Sequence, residues 1–206
     1  MALLILFFKS LAIGLSIAAP VGPIGVLCIR RTLAHGFLGG FAAGLGAASA
    51  DGVYGALAAF GITAVSRLLV EQAYWLGLGG GALLIWLGYS AMRAEPATRT
   101  LADQGPRLFT AYAATFVLTL SNPMTVLSFA AIFAALGPIG GEAGWIPALV
   151  MILGVFLGSA LWWLGLAGAV GLVRRRVSPA TMRWINRISG AVIIVFGVVA
   201  IASTLR

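Results

Sequence analysis

The chain has 206 residues, 61% of them hydrophobic and 9% charged, with a mean hydropathy of +1.08. A soluble domain runs at about half apolar and a quarter charged, so this composition excludes one and leaves no length for a separate catalytic domain. The net charge of +8 has no soluble basic module to carry it to nucleic acid; in a polytopic membrane protein it reads as cytoplasmic arginines facing acidic lipid.

Charges divide the chain into six apolar windows, each near the roughly 20 residues needed to cross a hydrocarbon core. The first is residues 10–29. It lacks a positive n-region before the apolar run, and Lys9 sits inside that run, so a retained helix is expected rather than a cleaved signal. Pro20 and Pro23 remove two backbone donors and clash with preceding carbonyls, and Gly22 adds freedom between them. A broken helix is therefore expected here.

The second window is 37–64. Gly36, Gly40, Gly44, Ala48, Gly52 and Ala56 recur every four residues and make one small-residue stripe. Lipid gives helices no hydrophobic reason to associate, so such a stripe supplies close backbone contact. Asp51 is the one charged residue well inside any window, about 21 Å along a helix from Phe37. A carboxylate at that depth is costly unless neutralised, hydrated or paired, so it is a functional candidate by default.

The third window, 74–92, leads into a polar linker, 93–107. The fourth, 108–136, contains Ser121-Asn122-Pro123, with Asn122 also about 21 Å deep. A second proline break is expected there, with Asn122 offering a neutral donor and acceptor. The fifth and sixth windows are 145–173 and 188–205. Trp75, Trp145 and Trp184, near window ends, read as interfacial anchors.

The chain says nearly the same thing twice. Pro20 falls on Pro123, Ser49-Ala50 on Ser159-Ala160, and Trp75, Gly81-Ala82 and Gly88 on Trp184, Gly190-Ala191 and Gly197, at offsets between 103 and 110 residues. A duplicated unit of three spans must insert upside down relative to its twin, and inverted repeats with a broken first helix mark secondary transporters. The expected fold is all-α: one polytopic domain over 1–206, six transmembrane helices in a 3+3 inverted repeat (1–92 and 108–206), with helices 1 and 4 broken by proline. The twin of Asp51 is Leu161, so the duplicated scaffold carries one acid.

Six spans put ten arginines on one side of the membrane and Lys9, Arg67 and Arg206 on the other. The positive-inside rule makes the ten-arginine side cytoplasmic and both termini periplasmic. No enzyme constellation is present. The single histidine, His35, and the single cysteine, Cys28, form no metal site or nucleophile–base pair, and Gly79-Gly80-Gly81 has no following lysine for a phosphate loop. No cofactor or metal is expected.

Ala18-Ala19-Pro20-Val21-Gly22-Pro23, the run Arg30-Arg31-Thr32-Leu33-Ala34-His35-Gly36, Ser49-Ala50-Asp51 and Ser121-Asn122-Pro123, in this order, resemble the LysE/RhtB family of amino-acid exporters. The resemblance covers essentially the whole chain. It implies a small bacterial inner-membrane carrier that exports amino acids or related metabolites, coupled to the proton gradient. The family's proline motif maps onto Val21-Gly22-Pro23, with Val21 in place of its first proline. Its second motif commonly reads Asn-Pro-Lys, and Met124 stands here in place of the lysine. Asp51 matches the acidic position of the lysine-exporter branch, which tilts the expectation toward a substrate with a cationic group.

The expected substrate and coupling residues are Asp51, Pro20, Gly22, Pro23, Asn122, Pro123, Ser49 and Ser121. Expected partners are an amino-acid-class substrate, protons and membrane lipid, with a homo-oligomer left open. Two alternatives remain. A divalent-cation exporter would ask one membrane carboxylate to serve an ion that wants six or more oxygens. A channel or membrane assembly subunit would use the small-residue stripe as its partner surface.

Overall fold

The structure, a computed structural model, describes residues 1–20, 22–59, 73–93, 108–122, 125, 129, 145–174 and 177–205. These form seven helices: α1 Ala2–Ala18, α2 Pro23–His35, α3 Phe37–Ala59, α4 Ala73–Arg93, α5 Leu108–Leu120, α6 Trp145–Arg174 and α7 Pro179–Thr204. The chain is all-helical over these residues. Val21, Arg67, Pro123, Met124 and the linker beyond Arg93 lie outside them.

The first window becomes two helices. α1 begins at Ala2 and carries Lys9, α2 begins at Pro23 and runs to His35, and the two axes meet at 81°. Proline suits the first position of α2, where its missing N–H has no helical acceptor to lose. Gly22 caps that end in extended backbone, φ −100° and ψ −164°. α2 stops at Gly36, whose φ of +84° suits glycine. The fourth window starts with the 13 residues of α5, followed by a turn at Ser121.

Among the described residues, α6 and the stretch Ala180–Thr204 of α7 are long and apolar enough to cross a membrane, and the bent α1–α2 pair makes a third if counted as one span. α3 and α4 have 23 and 21 residues, long enough to span at about 1.5 Å per residue. α7 starts well before its window, because Ser178 caps it through the Thr181 amide at 3.1 Å and Pro179 follows. Arg183 and Arg187 are exposed on its early turns, where their stems can run along apolar surface toward headgroups.

Helix pairing follows the small residues. α4 and α7 run antiparallel with glycine against glycine. A Cβ on Gly81 would lie 2.8 Å from Gly197 O, and one on Gly197 would lie 2.7 Å from Gly81 O. Gly88 and Gly190 meet in the same way, at 2.6 Å in both directions. Gly81 and Gly190 are sequence equivalents, as are Gly88 and Gly197, so this is one contact made twice with the roles exchanged. α1 packs along α6, α3 along α5, and α3 against α6. Exchanging the halves, α1 for α5, α3 for α6 and α4 for α7, maps this set of pairs onto itself.

The α1–α6 contact places Gly154 against Ser10 and Gly158 against the Leu11 backbone. An adjoining face of α6, with Leu153, Leu157, Leu161 and Leu164, is exposed, as a lipid-facing stripe would be. The stripe of α3 splits between neighbours: Gly44 and Gly52 face Trp163 and Phe156 of α6, whereas Gly40 faces Thr32 of α2. Trp75, Trp145 and Trp184 are each more than 60% exposed, as interfacial anchors require.

Candidate functional site

The break between α1 and α2, the middle of α3 and the end of α5 converge on one cavity of about 790 Å³. Pro20, Gly22, Pro23, Asp51, Ser121 and Asn122 all line it, and α4 and α7 close it from another side. Six of the eight expected residues are thus brought together. Pro123 lies outside the described residues. Ser49 is half-buried and does not line the cavity, because a residue two places from Asp51 points about 200° away around the helix.

Asp51 is 3% exposed. Its Oδ2 accepts a hydrogen bond from Ser159 Oγ of α6 at 2.7 Å, and Trp163 Nε1 donates to the same Ser159 Oγ at 3.1 Å. An indole N–H can only donate. Ser159 must therefore accept from Trp163, which leaves its single proton for Asp51. The chain Trp163–Ser159–Asp51 holds one carboxylate oxygen as an acceptor and fixes the side chain at the cavity wall. Ser159 is fully buried, and Trp163 also lines the cavity.

Two contacts fix the α5 end. Tyr54, nearly one turn beyond Asp51, donates to Leu120 O at 2.6 Å. That carbonyl ends α5 and has no acceptor role left in the helix. Tyr54 also stacks on Phe129, with centroids 5.3 Å apart. Lower on the same pair, Thr115 Oγ1 reaches Ala43 O at 2.6 Å, and Gly46 lies against the Tyr112 backbone. Ser121 packs on Gly80 of α4, where an added Cβ would sit 3.1 Å from Ser121 Cβ. The polar turn after α5 is therefore wedged between α3 and α4, facing the cavity.

The α2 end is tied to α6. Arg174 Nε donates to Leu33 O at 2.9 Å and Nη2 to Ala34 O at 3.1 Å, which caps the last carbonyls of α2 with a cation, as the helix dipole favours. Partial burial, then the nearby charges of Arg31, Arg30 and Arg174, hold His35 below the ordinary imidazole pKa of 6.5. Cys28 is buried with its Sγ 3.2 Å from Gly40 O and packs α2 on α3. Among the described residues no three His, Cys, Asp or Glu side chains gather as a metal site would need.

Sequence reasoning passed over Ser159 and Trp163 as site residues. The available signal was positional: Ser159 is the repeat equivalent of Ser49 and sits two residues from Leu161, the twin of Asp51. Leu161 itself is 48% exposed, so the two halves differ in environment at the position where one of them carries an acid.

Comparison with known proteins bears on this arrangement. A putative amino acid efflux protein of Bacillus subtilis is 27% identical over 93% of this chain and 93% of its own. A chemotactic transduction protein of Pseudomonas aeruginosa is 32% identical over 85% of this chain and 87% of its own. A threonine efflux protein of Salmonella typhi is 28% identical over 66% and 70%. No solved structure matches the chain. The family model of the LysE type translocators matches residues 15–204, and this membrane protein belongs to that family.

Proposed function

We propose that the chain is a bacterial inner-membrane efflux carrier for an amino acid or related small metabolite, coupled to the proton gradient and working by alternating access. The observation that carries the reading is the meeting of a buried carboxylate, Asp51, with the gap between α1 and α2 and the turn that ends α5 at one cavity. Asp51 is the group that would take the substrate's ammonium or exchange a proton. The start of α2, whose first amides the helix itself leaves without partners, and Asn122 would receive the substrate carboxylate. Gly22 and Pro23 shape the first of these surfaces, and Ser121 the second.

The reciprocal contacts Gly81–Gly197 and Gly88–Gly190, made by sequence-equivalent residues of antiparallel helices, support an inverted repeat of 1–92 and 108–206. The exchange of helix pairs between halves supports it further. In such repeats, one half rocks against the other around a midplane site. With both termini periplasmic, the Arg174 clamp on α2 lies at the cytoplasmic end, where it would close that side. Names of two relatives, amino acid efflux and threonine efflux, agree with this substrate class.

Growth of an overexpressing strain on a panel of toxic amino-acid analogues tests the reading. Resistance to at least one analogue, lost on Asp51→Asn with the protein still in the membrane, is expected. Sensitivity to every analogue at full expression contradicts it. A non-transport assembly subunit is the second reading, favoured by the relative named for chemotactic transduction. It predicts no resistance and a stable membrane partner that co-purifies with the chain.

A further inference from the structure

The cavity is chemically lopsided. Among its described lining residues Asp51 is the one charged side chain, and no lysine, arginine or histidine joins it. Several hydroxyls that line it are already spent. Thr119 donates to Thr115 O at 2.8 Å, Ser203 to Ala200 O at 2.8 Å and Thr204 to Ile201 O at 2.7 Å. Each of these protons is committed to a carbonyl of the residue's own helix, so those positions offer the cavity little beyond carbon and an acceptor. Tyr74, Ser121, Asn122 and Thr125 add uncharged polar groups. The apolar part of the wall includes Ile17, Leu84, Leu118, Trp163, Phe196 and Val199.

We infer that the cavity selects an α-amino acid with a single cationic group and an uncharged apolar side chain, branched aliphatic or aromatic. This rests on the exporter reading above and narrows it. One carboxylate can neutralise one ammonium. A dibasic amino acid would bring a second ammonium to a wall whose described residues offer no second carboxylate, so its desolvation would lack an opposite charge. An acidic amino acid would bring a second carboxylate to a wall whose described residues include no cation. An apolar side chain meets like surface and gains from leaving water. The α-amino group of such a substrate uses Asp51, so the lone acid does not call for a lysine-like side chain. The cavity volume of about 790 Å³ leaves room for an aromatic ring.

The test is counterflow in proteoliposomes holding the full chain, with labelled leucine, phenylalanine, threonine, lysine and glutamate. Leucine and phenylalanine are expected to exchange with KM about tenfold or more below that of threonine, and lysine and glutamate to remain at background. Val199→Asp adds a second carboxylate to the apolar wall and is expected to open lysine exchange while weakening leucine. Should that variant fail to fold, Val199→Ser is expected to raise KM for leucine while leaving that for threonine within about twofold. Lysine or threonine moving better than leucine through the wild-type chain overturns the apolar class and leaves the exporter reading standing. No exchange of any amino acid by folded protein removes the exporter reading, and the inference with it.

Discussion

Asp51 of α3 and Ser159 of α6, 108 residues apart, share a 2.7 Å hydrogen bond that directs the Ser159 proton at Asp51 Oδ2. The direction follows from Trp163, whose N–H can only donate and already occupies Ser159 as an acceptor. The carboxylate at the cavity is thus oriented by the opposite half of the chain. In the proposed carrier, a change in how the halves sit together would change what the carboxylate meets.

Ser159→Ala removes the donor to Asp51 and leaves Trp163 Nε1 without its acceptor. The cost to thermal stability in detergent is expected to be about 1 kcal/mol, the scale of hydrogen bonds between membrane helices. Efflux should fall further than stability does, since Asp51 loses its orientation. Trp163→Phe should keep the Ser159–Asp51 bond and retain more efflux than Ser159→Ala. Melting curves and initial efflux rates measured on the same preparations check this. Equal rates for Ser159→Ala and wild type would leave Ser159 a packing residue.

Gly88 and Gly190 occupy one side of the reciprocal α4–α7 contact. Gly88→Val and Gly190→Val each place carbon where the partner backbone carbonyl stands. Each is expected to cost about 1–3 kcal/mol or more, the range for overpacking. The two should cost alike, because each meets the other's carbonyl at 2.6 Å. Gly79→Val, with open space around its Cβ, should be mild. Thermal unfolding of the three variants gives the comparison.

At the other end, Gly36 sits at φ +84° with Arg174 Nη1 3.0 Å from where a Cβ would be. Gly36→Ala should destabilise by roughly 1 kcal/mol or more, since the conformation resists a side chain. The same cluster sets a pH dependence. His35 is held below 6.5 in the folded chain, so the unfolded chain takes up a proton first as pH falls. Stability should therefore decline as pH drops through about 6.5 and flatten below the folded value. His35→Gln should remove that part of the decline, which thermal melts between pH 8 and pH 5 would reveal.

Much of this was legible in residues that carry a strong local signal. Pro23 marks the start of α2 because proline fits a helix only at its first turn, and 145–173 is a helix within one residue of its window. Asp51 was conspicuous because charge is rare in an apolar run. The rest needed tertiary information. The start of α7 was cut short by Arg183 and Arg187, since hydropathy counts the charge and ignores a stem that can lie along the helix. Ser159 has no signal of its own, as serine is common in membrane helices and becomes informative only once α3 crosses α6. Ser49 was placed at the site by nearness in sequence, and helical rotation turned it away.

The most direct test of the account is amino-acid efflux from proteoliposomes holding wild-type chain or Asp51→Asn, with and without an imposed pH gradient. The account predicts efflux by wild type that the gradient accelerates, and background efflux by Asp51→Asn at an unchanged melting profile. Gradient-driven efflux by Asp51→Asn at the wild-type rate would contradict it.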